Sequence, residues 1–126
     1  MSGRGPVLVV DDDPDIREAL QDTLESEGYD AVGVANGQEA LEYLRTNSTP
    51  PMILLDWNMA PINAPEFMAE AVKDPVLSRI PVVLLTADAR APEKSRGNGF
   101  VGYLMKPVDL DALFMFVGRY CGLSLP

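Results

Sequence analysis

The sequence predicts an α/β fold: a doubly wound, five-stranded parallel sheet with helices on both faces. Three observations predict it. Five apolar runs of strand length recur along the chain, continuous rather than alternating, as strands buried on both faces require. Stretches with apolar residues at helical spacing separate them, and right-handed crossovers over such helices return each strand in the same direction. Four of the runs end on polar residues: Val9-Val10-Asp11-Asp12, Leu54-Leu55-Asp56, Leu84-Leu85-Thr86-Ala87 and Met105-Lys106-Pro107. In parallel neighbours those ends share one edge of the sheet, where ligands of such folds bind.

The elements follow in order. Val7–Val10 is the first strand. Asp13 caps the next helix and Pro14 occupies its first position, where a missing N–H costs nothing. Ile16, Leu20 and Leu24 form its apolar stripe, and Gly28 ends it. Residues 29–35 read as the second strand. Asn36-Gly37-Gln38-Glu39 has capping-box spacing and opens a helix through Ala40, Leu41 and Leu44. Thr49-Pro50-Pro51 breaks the chain before the strand 52–55. Residues 61–65 form a loop, and a third helix runs from Glu66 to about Lys73, with Asn63 as its candidate cap. Pro75 and Pro81 bracket a connector before the strand 82–85. Pro92, Gly97 and Gly99 leave room for about two turns of helix in 90–100. Residues 101–105 are the fifth strand. Asp109 caps the last helix, with Leu110, Leu113, Phe114, Val117 and Tyr120 on one face, and Gly122 ends it.

Bulk composition excludes several classes of function. The chain has 126 residues, the size of one domain, and 47% are apolar, enough for a core without metal or disulfides. The single Cys121 cannot form an intrachain disulfide and is expected to fill space beside the last helix. No histidine is present, which rules out a phosphohistidine carrier, a His-ligated metalloenzyme and a Ser-His-Asp hydrolase. The net charge of −9 opposes nucleic-acid binding. The start, Met-Ser-Gly-Arg-Gly-Pro, has no signal-peptide core, and no apolar run reaches membrane-spanning length, so a cytoplasmic protein without membrane contact is expected.

The polar exits carry the chemistry. Asp11 and Asp12 leave the first strand and Asp56 the third. Two carboxylates ~4 Å apart repel by about 4 kcal/mol at an effective dielectric of 20. A hard cation relieves that crowding, and Mg²⁺ takes oxygens from carboxylates, water and phosphate. Three Asp against Lys106 leave a formal excess of two negative charges, which one Mg²⁺ cancels. Asp56 is placed to attack phosphorus as a nucleophile, with Lys106 and the Thr86 hydroxyl on the phosphoryl oxygens.

As a set these residues resemble the receiver domain of bacterial response regulators, in particular the stand-alone chemotaxis type, over residues 7–120. The motifs that carry the resemblance are Asp11-Asp12, Asp56-Trp57-Asn58-Met59, Thr86-Ala87 and Tyr103-Leu104-Met105-Lys106-Pro107. The resemblance implies a flavodoxin-like α/β/α sandwich with strand order 2-1-3-4-5. It implies that Asp56 is the phospho-acceptor. Asp12, Asp56 and the Asn58 backbone carbonyl would ligate Mg²⁺, with Asp11 acting through water. Lys106 and Thr86 would contact the phosphoryl group, beside a cis Lys106-Pro107 peptide. Tyr103 would be the aromatic switch, with a partner face on the fourth helix, fifth strand and fifth helix. Asn58 and Asp88 fall at positions that tune dephosphorylation, so the acyl phosphate is expected to last seconds to minutes.

Three departures stand out. Ala60 replaces the usual Pro, with Pro61 one place later. Asn63-Ala64 replaces Asp-Gly, which implies a different loop conformation if that glycine has positive φ. The stretch from Thr86 to Lys106 is short, which predicts a shortened fourth helix. The expected protein is thus a single receiver domain over 5–122 with no output domain, a monomer or weak dimer. It takes its phosphoryl group from a sensor histidine kinase or phosphotransfer protein and signals to an unknown downstream protein. It catalyses only its own phosphorylation and dephosphorylation. The alternative is a degenerate receiver acting as a phosphorylation-independent binding module. An aspartyl-nucleophile phosphatase would want a second Asp where Asn58 stands. A flavin carrier would not place Asp11 to Asp15 where its phosphate binds.

Overall fold

The structure, a computed structural model, describes residues 6–122. The predicted domain start at residue 5 and the reading of the first residues lie outside them. The chain runs β1 (Val7–Val10), α1 (Pro14–Ser26), β2 (Ala31–Val34), α2 (Gly37–Thr46), β3 (Ile53–Asp56), α3 (Ala64–Val72), a 3₁₀ turn (Leu77–Arg79), β4 (Val82–Thr86), α4 (Ala91–Gly97), β5 (Gly102–Met105) and α5 (Leu110–Tyr120). All pairings are parallel, and the strand order is β2-β1-β3-β4-β5. The predicted fold class and order stand.

Alternation along the pleat divides the core into two clusters. Leu8, Val10, Ile53, Leu55, Val82 and Leu84 face α2 and α3. Val7, Val9, Leu54, Val83, Leu85 and Leu104 face α1 and α5. Leu8, Val9, Val10, Leu54 and Leu55 have no solvent exposure, as the unbroken apolar runs require. β5 is an edge strand, and Tyr103 and Met105 on it are exposed.

Helix starts carry most of the local signal. Asp13 accepts from the Asp15 N–H at 2.9 Å, with Pro14 opening α1. Asn36 accepts from the Glu39 N–H at 2.9 Å, but Glu39 reaches past the cap to the Ala35 N–H, so the reciprocal bond of a capping box is shifted by one residue. The full box forms at Asn63, where Asn63 and Glu66 exchange bonds of 2.9 Å. α3 therefore begins at Ala64, two residues earlier than the sequence reading. Pro65 sits inside its first turn, where Pro is tolerated, instead of closing the loop. Ala64 is fully buried there, and no non-glycine described residue has positive φ, so the replaced glycine demands no strained backbone.

Two further readings change. The connector between Pro75 and Pro81 contains a 3₁₀ turn, started by Asp74 Oδ1 accepting from the Val76 and Leu77 N–H groups, and it buries Leu77. On α5 the buried residues are Leu113, Phe116 and Val117, whereas Leu110 is 49% exposed. Leu110 starts the helix beyond the strand ends, so it has no sheet to pack on. Gly102 lets the Phe116 ring approach β5 closely: a Cβ there would stand 2.5 Å from the ring Cζ. The short α4, seven residues, matches the two turns predicted, and the Lys106-Pro107 and Ala60-Pro61 peptides are cis.

Candidate functional site

Strand register assembles the site. Val10 pairs with Leu55, so Asp11 follows beside Asp56 as both chains leave the sheet. Asp56 pairs with Leu85, one residue before Thr86, and Thr86 pairs with Met105, one residue before Lys106. The Lys106 N–H donates to the Thr86 carbonyl at 2.9 Å, which extends the β4–β5 ladder to the lysine. Asp11, Asp56 and Lys106 each continue the every-second-residue set that faces α1 and α5.

The result is a small acidic pocket with one cation in it. Lys106 Nζ lies 2.9 Å from Asp11 Oδ2 and 3.0 Å from Asp56 Oδ1. Asp11 has no exposure and Asp56 is 3% exposed, so both carboxylates have lost nearly all their water. Asp12 is exposed, yet an oxygen from each of Asp11, Asp12 and Asp56 lies within 4.8 Å of the others. Asp11 Oδ1 accepts from the Asp13 N–H at 2.9 Å, which ties the acidic run to the α1 cap. Arg17 Nη1 donates to the Asp11 carbonyl at 2.9 Å.

Electrostatics show the crowding. Burial pushes the Asp56 carboxyl up to about 6; Lys106 opposes that rise and Asp11 adds to it. Burial alone would lower the Lys106 ammonium, but its bonds to Asp11 and Asp56 win and hold it above the ordinary lysine value. Asp11 Oδ2 is buried, and the Lys106 ammonium at 2.9 Å is its one partner among the described residues, an ion pair that leaves a lone pair over. A buried oxygen with a spare lone pair, within reach of two more carboxylates, fits a hard divalent cation. The set is oxygen-only, which suits Mg²⁺ over Zn²⁺.

The remaining predicted residues lie around this centre. Thr86 is 2% exposed, and its Oγ1 accepts from the Asp88 N–H at 3.1 Å. Asn58 is exposed and, with Asp12, Trp57, Met59 and Asn63, lines an open cleft of about 380 Å³ beside Asp56. Tyr103 stands outside the pocket, 37% exposed on the edge strand. Asp88 is held by cations: Lys94 Nζ at 2.7 Å and Arg90 Nη2 at 3.5 Å. Lys94 first, then Arg90, keep its carboxyl well below the usual carboxylate range.

Lys94 is the neighbour that sequence reasoning missed. It lies on α4 with its Nζ 4.4 Å from the Trp57 ring centroid, the residue after Asp56. A lysine in a Gly- and Pro-punctuated stretch carries no signal for such a contact. Only the spacing Asp88 to Lys94, one turn plus the helix start, hinted that the two could meet.

Comparison with known proteins gives a consistent picture. The family model described as response regulator receiver domain matches residues 7–117. An uncharacterized 14.6 kDa protein of Leptolyngbya boryana is 36% identical over 117 residues, 91% of this chain and 88% of that one. Chemotaxis protein CheY1 of Helicobacter pylori is 30% identical over 104 residues, 80% of this chain and 84% of that one. Several other curated relatives, transcriptional regulators among them, are longer, and the match covers 27% to 51% of their length. Among solved structures, the receiver domain of the sensor histidine kinase PA1611 of Pseudomonas aeruginosa, with magnesium in its active-site cleft, superposes with a TM-score of 0.83. It is 25% identical, and the match covers 94% of this chain and 99% of that one. No helix among the described residues is long and apolar enough to cross a membrane.

Proposed function

We infer the function from one premise: the chain belongs to the response regulator receiver domain family. On that premise it is a phosphorylation-activated switch of a two-component system, working in the cytoplasm. Asp56 accepts a phosphoryl group from a histidine kinase or phosphotransfer protein, and the change is relayed through protein contacts. The single observation that carries this reading is the position of Lys106 Nζ, within 3.0 Å of both buried carboxylates, Asp11 and Asp56, with Asp12 alongside.

An Asp56 carboxylate oxygen attacks phosphorus in line, and the phosphorus–nitrogen bond of the donor breaks with its electron pair returning to the imidazole. Lys106 pairs with one phosphoryl oxygen and the Thr86 hydroxyl donates to another, which positions charge where it develops. Asp11, Asp12, Asp56 and the Asn58 backbone carbonyl are the groups that would hold Mg²⁺, whose charge offsets the carboxylates and the phosphoryl oxygens. Once Thr86 is engaged, its neighbours on the β4 exit rearrange, and Tyr103 on β5 reports that change on the surface. Asn58 and Asp88 influence the water that hydrolyses the acyl phosphate. The reaction is the protein's own modification and its reversal; no separate substrate is turned over.

The test is a small phosphodonor. Acetyl phosphate with Mg²⁺ should add the mass of one phosphoryl group, and Asp56→Asn should lose that gain. The two-turn α4 favours one second reading, a module that binds its partner without phosphorylation. No mass gain in the folded, Mg²⁺-loaded protein would select it.

A further inference from the structure

Asp88 touches two cations of unlike character. Arg90 is 75% exposed and 3.5 Å away, an ordinary surface contact that contributes little. Lys94 is 16% exposed, sits 2.7 Å from Asp88 Oδ2 and lies over the Trp57 ring, so its ammonium is fixed on two sides. α4 needs such an anchor. Asp13, Asn36, Asn63 and Asp109 cap the other four helices with side-chain bonds, while Arg90 makes none at the α4 start. Instead Asp88 Oδ1 accepts from the Arg90 N–H at 2.8 Å while Oδ2 takes Lys94.

These contacts form a chain. Trp57 follows Asp56 on β3, Lys94 covers Trp57, Asp88 holds Lys94, and the Asp88 N–H donates to Thr86 Oγ1 at 3.1 Å. Every link lies at the C-terminal edge of the sheet, and both ends are residues of the acceptor pocket. Lys94 makes its ion pair with Asp88 and its ring contact with Trp57, while Asp11 and Asp56 pair with Lys106.

We propose that Lys94 is a positioning residue that keeps Asp88 paired and turned to the Trp57 side of the pocket, and so sets how long Asp56 stays phosphorylated. This rests on the reading of Asp56 as the acceptor. With Lys94 in place the Asp88 carboxylate is occupied by cations. Without Lys94, Asp88 Oδ2 keeps only the exposed Arg90 at 3.5 Å, a weak contact that an incoming water can displace, and two residues from Thr86 it can take that water's proton. The water oxygen then bonds phosphorus, the bond from phosphorus to the Asp56 oxygen breaks with its electron pair returning to the carboxylate, and the proton passes from Asp88 to solvent. Inorganic phosphate leaves and Asp56 is regenerated.

The experiment labels the whole chain with acetyl phosphate and Mg²⁺, removes the donor and follows loss of the phosphoryl mass with time. Lys94→Met should shorten the lifetime at least about threefold, a modest share of the ~10²-fold a well-placed general base supplies. Lys94→Arg, which keeps charge and ring contact, should restore it. Adding Asp88→Ala to Lys94→Met should return the lifetime to the wild-type value or beyond, which a mere loosening of α4 would not do. Trp57 emission of the unlabelled protein should change in Lys94→Met and give a second readout free of phosphorylation. A Lys94→Met lifetime equal to wild type, or a double variant that decays as fast as Lys94→Met, overturns the proposal. Failure of the wild type to label at all overturns the acceptor reading, and the role of Lys94 with it.

Discussion

Replacing Asp56 by Asn should make the metal-free protein more stable. The substitution keeps the shape of the side chain and removes one of the crowded charges. Burial lifts the Asp56 carboxyl from 3.8 to about 6. Two units at about 1.4 kcal/mol each give an upper bound of about 3 kcal/mol for holding it ionised at neutral pH. That rise is already net of the Lys106 bond, which opposes it, so losing the bond adds no separate cost. Lys106 keeps Asp11 at 2.9 Å, so its ammonium is not stranded. The gain is therefore up to about 3 kcal/mol at pH 7.5, or several degrees of melting temperature for a chain of this size. The sign has a pH signature. A carboxyl with a raised folded-state pKa binds its proton more tightly in the folded state, so its contribution to stability is present below about pH 4 and is lost as pH rises through about 6. The chain has no histidine, so little else titrates between about pH 5 and 7. Urea unfolding in EDTA, followed by circular dichroism at about pH 5 and about pH 7.5, measures the effect. The advantage of Asp56→Asn should grow toward the higher pH. A variant less stable than wild type at pH 7.5, or an advantage that ignores pH, would refute the argument that burial and crowding dominate at Asp56.

Two more predictions address the ion and the packing. Mg²⁺ should raise the melting temperature of the wild type, by about 2.7 kcal/mol of stability at a hundredfold excess over Kd, and change Trp57 emission. Asp12→Ala and Asp56→Asn should each abolish both responses, and persistence of either response in both variants would place the ion elsewhere. Gly102→Ala should destabilise by about 1–3 kcal/mol, since the new methyl would meet Phe116 Cζ at 2.5 Å and Cε1 at 2.6 Å. A neutral result in urea unfolding would show that the ring moves aside freely.

What the sequence disclosed was strand identity and the exits of the strands. Continuous apolar runs leave no choice of buried face, so β1, β3 and β4 were readable to within a residue or so, and the polar residue that ends each run marked the pocket edge. Strand order was not readable in that way. Nothing in Leu54-Leu55-Asp56 says that β1 lies on one side and β4 on the other; the order came from the resemblance. Prolines misled where they sit inside helices. Pro65 has the local pattern of a loop, yet the Asn63–Glu66 box shows the helix already under way around it. The last helix shows its core face in the sequence except at two positions: Leu110 fits the apolar spacing while standing exposed past the sheet, and Phe116, outside that spacing, is buried.

The pocket and its surroundings differ in legibility for the same physical reason. Asp11, Asp56 and Lys106 are brought together by ladder register, and register follows from runs that the sequence displays. Lys94 and Trp57 are brought together by the packing of a seven-residue helix across a strand exit, which no local pattern encodes. Register fixes a chemistry that needs only charge and distance. The helix contact places one ammonium between an indole ring and a carboxylate beside that chemistry. On the proposal for Lys94, a chain with the same strand exits but without that lysine would hold the same acidic centre and keep a phosphoryl group for a different time.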